Sequence, residues 1–333
     1  MADQSSSVDL CKKLLNNSIY NPDDDTLTRL LTFPGITCIT CEDHNSVPNQ
    51  PIFTQDIPLN ATLKTWLRIY KPINPTPVTK LPLILYFHGS GFVIGTLSIT
   101  WFHDLCTSMA FQLPAVVVSV GYRLAPESRL PAAYEDAMDA INWVRNQAIG
   151  RTGDSLLQDI VDYSNCYLMG TSSGGNMAYH AALRSLSMDI KPLKIRGIAL
   201  NQPFFGGSQR TSSELRLIND KVFPLAMSDL MWELSLPKGS DRDHDYCNPM
   251  VNESYKDKIK MLGRCFVSVS GGDILSDRQM EFVKMLEKNG VNVVTSFEEE
   301  GYHGIDIMEA HKTQALVMAL KQFLSSGLVA VGE

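Results

Sequence analysis

Long uninterrupted apolar runs are missing from this sequence, and so is any excess of positive charge. No stretch approaches the length of an uncharged membrane span, so no membrane partner is expected. The start, MADQSSSVDLCKKLLNN, lacks the apolar core of a secretory signal, which makes the cytosol the expected location. A formal net charge of -7 gives no global attraction to nucleic acid or to an anionic surface. Cysteine is sparse: Cys11, Cys38, Cys41, Cys106, Cys166, Cys247 and Cys265 are scattered and odd in number, which excludes a disulfide framework and predicts reduced, mostly buried thiols. Cys38 and Cys41 form a C-x-x-C, but no second pair follows and His44 alone does not complete a zinc site, so no metal is expected. Internal repeats, low-complexity tracts and charge blocks are also missing, which excludes a solenoid and a tethered tail.

What is present is enough apolar material for a sizeable core. With 333 residues, 44% of them hydrophobic and 20% charged, the chain suits one catalytic unit, 1–333, with room for a small cap. Lys64 to Tyr70 (KTWLRIY) alternates like a half-buried strand, and the proline-rich KPINPTPVTK after it reads as a turn, so antiparallel strands are expected to open the sheet. From there short apolar runs alternate with helical stretches: LPLILYF, AVVVSV, NCYLMG, IRGIAL, RCFVSVS and VNVVTSF. Such runs are continuously apolar because strands of a parallel sheet are covered on both faces, so an α/β fold with a mostly parallel central sheet flanked by helices follows. A helical-looking insertion, about 205–240, interrupts that rhythm and, with the N-terminal arm of about 1–40, is the candidate cap.

Between NCYLMG and the next helix lies Gly170-Thr171-Ser172-Ser173-Gly174-Gly175-Asn176, a G-x-S-x-G in strand-turn-helix context. A serine hydroxyl is a poor nucleophile at neutral pH and must pass its proton to a positioned base, usually a histidine held by a carboxylate. The order should be Ser, acid, His. His303 and His311 are the histidines that follow both the serine and a plausible acid. His311 falls in the terminal helix, whereas His303 sits in a loop, Gly301-Tyr302-His303-Gly304, after a late strand, and is the expected base. For the acid, Asp273 follows RCFVSVS through two glycines; Asp277 lies beside Ser276, whose Ser276-x-x-Gln279 resembles a capping box and gives Asp277 a structural explanation. Asp273 is therefore the expected acid. An oxyanion needs backbone donors from an earlier turn plus the amide after the nucleophile. Tyr86-Phe87-His88-Gly89-Ser90-Gly91-Phe92 supplies that turn, assigning the N–H groups of Ser90, Gly91 and Ser173 to the hole, with His88 as a loop-stabilising residue.

His88-Gly89-Ser90-Gly91-Phe92, Tyr122-Arg123-Leu124-Ala125-Pro126-Glu127, Leu130-Pro131-Ala132-Ala133-Tyr134 and the turn from Gly170 to Asn176 together resemble plant carboxylesterases of the hormone-sensitive-lipase-like group of α/β-hydrolases. The resemblance spans nearly the whole chain. It implies an α/β-hydrolase fold, a small helical cap built from N-terminal helices and the insertion near 205–240, no cofactor, and a small to medium carboxylic ester as partner molecule, cleaved through an acyl-enzyme. The chain departs from the group's pattern at Ser90, where HGGG has glycine, and at Thr171 and Ser173, where the elbow usually carries an acidic residue and an alanine. Related proteins include gibberellin receptors, which lose the histidine that His303 retains here, and a dehydratase and cyclases of specialised metabolism. The alternatives to hydrolysis are thus a binding protein on the same scaffold, or elimination, cyclisation or acyl transfer at the same triad. Phe92, Phe223, Met231, Trp232 and Ile305 are candidate pocket residues because they adjoin catalytic motifs or lie on the expected cap.

Overall fold

The computed structural model describes residues 18–21, 26–29, 37–74, 80–151, 156–251 and 255–326. A hairpin of β1 (Ser18–Asn21) and β2 (Thr26–Arg29) precedes the short helix α1 (Cys41–Asn45), then β3 (Ile52–Asn60), β4 (Thr65–Pro72) and β5 (Leu81–Phe87). Helices then alternate with strands: α2 (Thr100–Gln112), β6 (Val116–Gly121), α3 (Ala132–Ala148), β7 (Val161–Thr171), α4 (Ser173–Ser185) and β8 (Ile195–Asn201). The insertion carries α5 (Ser212–Arg216) and α6 (Leu225–Ser235), and α7 (Lys256–Ile259) leads back to β9 (Arg264–Ser270). The chain ends with α8 (Ser276–Lys288), β10 (Val293–Glu298), α9 (Ile305–Met308) and α10 (Ala310–Ser326).

Eight strands form the sheet in the order β10-β9-β8-β7-β5-β6-β4-β3. The β3–β4 and β4–β6 pairs are antiparallel, and every other pair is parallel. The apolar runs sit where the period of two places them. Leu83, Leu85 and Phe87 of β5 face the layer that holds Tyr134, Met177 and Phe282 of α3, α4 and α8, while Ile84 and Tyr86 face Leu105 and Leu320 of α2 and α10. Both faces of the central strands are therefore covered, which is why those runs read as continuously hydrophobic. Strand β10 is the exception, an exposed edge that shows Phe297 to solvent.

This topology fixes where a site can form. The chain leaves β5 to one side for β6 and returns on the other as β7, so the order reverses there and the connections leaving the paired carboxyl ends of β5 and β7 diverge over a crevice. The turn His88–Gly91 follows β5 and Ser172 follows β7, so both open on that crevice. Of the expected N-terminal part of the cap, the described residues up to 40 show a β-hairpin and extended chain rather than helix; the remainder lies outside the described residues. Residues 205–240 carry α5 and α6, as the insertion predicts.

Candidate active site

Ser172 takes φ 55° and ψ -119°, a conformation an L-residue adopts only when its surroundings force it. The force is close packing: a Cβ on Gly174 would stand 1.9 Å from the Phe87 carbonyl oxygen, so helix α4 can press against β5 only with glycine there. The turn is pinned by the Ser172 N–H donating to the Asn201 carbonyl (2.8 Å) and the Phe204 N–H donating to the Ser172 carbonyl (2.9 Å). The hydroxyl is thereby lifted clear of the sheet.

Ser172 Oγ lies 2.8 Å from His303 Nε2, and His303 Nδ1 lies 2.8 Å from Asp273 Oδ2. A carboxylate only accepts, so Nδ1 carries the proton and Nε2 is left free to take one from the serine. Asp273 is fully buried, and its charge is met by three donors: His303 Nδ1, Gln279 Nε2 at 2.9 Å and the Leu275 N–H at 2.9 Å. The structure thus brings together the serine, acid and base that the sequence order selects. The capping box expected of Ser276 and Gln279 does not form; Leu275 is the N-cap residue without a side-chain cap, and Gln279 turns inward to Asp273. A buried carboxylate outcompetes a solvent-facing helix end for that donor. Asp277 stays in the first turn of α8 and accepts the Ser213 N–H at 2.7 Å, which ties the insertion to the core.

A second residue has almost no signature in the sequence. Gln202, fully buried just past β8, accepts the Gly304 N–H through Oε1 (2.5 Å) and donates from Nε2 to the Tyr302 carbonyl (3.3 Å). It straps the base's loop on both sides of His303. The one signal for it is slight: a polar pair, Asn201-Gln202, ahead of Pro203 at the carboxyl end of a core strand.

The other wall of the crevice is the turn after β5. Ser90, Gly91 and Phe92 all have positive φ (94°, 64° and 65°), a tight left-handed turn that two of the three residues adopt without the freedom of glycine. The Tyr122 hydroxyl donates to the His88 carbonyl (2.9 Å), the Ala125 N–H to the Phe92 carbonyl (2.9 Å), and the His88 ring stacks on Tyr122 at 4.3 Å. Burial holds His88 down to about 4, so it is neutral and its Nδ1 donates to the Gly89 carbonyl at 2.8 Å. Ser173 opens α4, where the first amides have no partner within the helix.

A cavity of about 340 Å³ joins these parts, with Gly89, Ser90, Gly91, Ser172 and His303 at its floor. Its walls are apolar, formed by Ile94, Ile99, Trp101, Phe102, Phe223, Met227, Met231 and Met308. Of the candidate pocket residues, Phe223 and Met231 line it. Phe92, Trp232 and Ile305 do not, and that expectation is corrected. Trp232 stacks on Phe204 at 4.4 Å and meets Phe92 at 5.9 Å within the core, where flat rings bury more area than in a cavity wall, and Ile305 is buried beside Gly301.

The family described as alpha/beta hydrolase fold matches residues 84–307, from the middle of β5 to α9. The chain belongs to the α/β-hydrolase family. Among its relatives is a 3-O-acetylpapaveroxine carboxylesterase of Papaver somniferum, 48% identical over 92% of this chain and 97% of that protein. A gibberellin receptor of Arabidopsis thaliana is 34% identical over 71% of this chain and 63% of the receptor. Among solved structures, a hyperthermophilic esterase from Pyrobaculum calidifontis superposes with a TM-score of 0.70 at 26% identity, over 84% of this chain and 86% of that one. Kinship with plant carboxylesterases is thus established, as the motifs imply. Among the described residues of this α/β-hydrolase, no helix is long and apolar enough to cross a membrane.

Proposed function

We propose that this carboxylesterase cleaves small to medium neutral esters with Ser172 as nucleophile, His303 as general base and Asp273 as the group that orients the imidazole. The observation that carries the reading is the unbroken Ser172–His303–Asp273 hydrogen-bond chain at the floor of an apolar cavity. Ser172 attacks the ester carbonyl while His303 Nε2 takes its proton, and the N–H groups of Ser90, Gly91 and Ser173 receive the oxyanion. The imidazolium then protonates the departing alcohol. Water, deprotonated by the same histidine, releases the acid and restores the serine. The residues 205–240 act as the cap that roofs the site. Cys38, Cys41, Cys106, Cys166, Cys247 and Cys265 carry free thiols, a state that suits a reducing cytosol as the place of action.

The wild-type protein is expected to be labelled by a fluorophosphonate at Ser172 and to hydrolyse a short-chain nitrophenyl ester. Ser172→Ala should lose both properties, with activity down by at least about a thousandfold. Labelling at another serine, read by peptide mass spectrometry, or an active Ser172→Ala would overturn the assignment. A folded, unlabelled wild type that turns over no ester would favour the binding-protein reading that the gibberellin-receptor likeness raises.

A further inference from the structure

The Phe223 ring lies nearly flat on the His303 imidazole, with centroids 4.6 Å apart and planes 24° from parallel. His303 is otherwise held by hydrogen bonds at Nδ1 and Nε2, both of which lie in the ring plane. Two in-plane bonds set where the ring is but leave it free to tilt about the line between them. A surface pressed on its face opposes that tilt.

Phe223 is itself fixed. Asp220 Oδ1 accepts the N–H groups of Val222 (2.8 Å) and Phe223 (2.7 Å), an Asx turn that aims the aromatic side chain at the catalytic loop. The Phe204 ring meets Phe223 edge-on at 5.8 Å and is backed by Trp232 of α6. Phe223 therefore reaches the base from the inserted segment and not from the sheet. The contact also has a chemical consequence. When His303 accepts the serine proton it becomes an imidazolium, and an aromatic face in a water-poor site attracts a cation. That attraction exists in the transition state and not in the neutral resting ring, so it acts on kcat.

We propose that Phe223, presented by Asp220, is a positioning residue for the general base, so that the cap takes part in catalysis as well as enclosing substrate. The inference rests on His303 being the base. Its test compares nitrophenyl acetate with nitrophenyl butyrate in Phe223→Leu, Phe223→Tyr and Asp220→Ala, each first shown to melt cooperatively. For Phe223→Leu, kcat is expected to fall about tenfold on both esters while KM moves by less than about twofold. Phe223→Tyr keeps a ring and should stay within about threefold of wild type, and Asp220→Ala should lower kcat by about threefold. A Phe223→Leu that keeps its kcat, or changes KM alone, or loses activity only on the butyrate, would make Phe223 a mere wall residue and overturn the proposal. If Phe223→Leu does not fold, Asp220→Ala decides, since an unchanged kcat there overturns it equally. Fluorophosphonate labelling of Ser172 in wild type is run alongside, so that a failure of the triad is seen separately from a failure of Phe223.

Discussion

Three residues after the base, Asp306 carries a carboxyl that faces a proton already committed. Ser268 has one hydroxyl proton, shared between Asn201 Oδ1 and, at 3.4 Å, Asp306 Oδ2, and its oxygen accepts the Gln202 N–H at 3.3 Å. At 3.4 Å the Ser268 hydroxyl, whose proton is shared with Asn201, gives an ionised Asp306 only weak support. Burial pushes Asp306 up to about 6, and the Asp273 carboxylate adds to this against the opposing pull of Ser268. Between the ordinary value of 3.8 and about 6 the folded chain keeps a proton that the unfolded chain has lost. Stability from this group is therefore greatest below that window and falls as pH rises through it, by up to about 3 kcal/mol at neutral pH. Asp306→Asn keeps the shape and supplies an N–H for Ser268. Its melting temperature is expected to exceed that of wild type at pH 8, with the difference vanishing near pH 4, as read by thermal denaturation at both values. Equal melting at pH 8 would show that the buried carboxyl carries no such cost.

At the scale of elements, the turn after β5 is strained where the sequence departs from glycine, since Ser90 has φ 94°. A non-glycine residue there costs about 1–3 kcal/mol, while glycine costs about 0.5–1 kcal/mol in unfolded-chain entropy. Relief of strain outweighs the entropy, so Ser90→Gly is expected to raise the melting temperature slightly. It should leave kcat within about threefold, because the main-chain donor is kept. Initial rates and melts check both, and a hundredfold loss of activity in a stable Ser90→Gly would assign the hydroxyl a chemical role. Proline cannot adopt that φ, so Ser90→Pro would report loop distortion rather than a lost donor. The core strands and the elbow are readable from sequence because each has a local signature, an apolar run or glycines at fixed offsets. Strand β3 is not: IFTQDIPLN is an edge strand with polar residues facing solvent, and it owes its conformation to pairing with β4. Gln279 and Gln202 escape sequence reasoning for the same reason, since their partners Asp273 and Gly304 are brought to them only by the fold. Phe92 and Trp232 are misread as pocket residues because an aromatic beside a motif looks alike whether it lines a cavity or backs it.

For the whole molecule, the strongest pH dependence of stability comes from histidines that the chain buries neutral. His103 donates from Nε2 to His44 Nδ1 at 2.8 Å and accepts at Nδ1 from the Tyr70 hydroxyl at 3.1 Å, and His44 Nε2 donates to the Ile52 carbonyl at 2.9 Å. Each of these ring nitrogens is used in the neutral state, and a second proton on His103 would meet the Arg68 guanidinium, 3.3 Å from Nδ1. Burial first, then the charges of His44 and Arg68, push His103 down to about 3. Burial likewise holds His180, packed on Tyr134, at about 3 and His88 at about 4. In the unfolded chain each would protonate near 6.5, so as pH falls below that value the unfolded state takes up protons that the folded state refuses. At pH 5 this amounts to about 2 kcal/mol for each of the three, or ~6 kcal/mol together, against a gain of about 1 kcal/mol from Asp306 over the same interval. The histidines win. The melting temperature of the wild type is expected to fall steeply from pH 7 to pH 5. His180→Leu is near in volume, and it removes a buried ring nitrogen, Nε2, that has no hydrogen-bond partner among the described residues, at the loss of the ring's hydrogen bond to the Tyr246 backbone. It should melt close to wild type at pH 7 and above it at pH 5, flattening the profile by about a third. A wild-type melting temperature that holds level or rises down to pH 5 would mean that these rings protonate in place and that the buried histidines are not what limits the fold in acid.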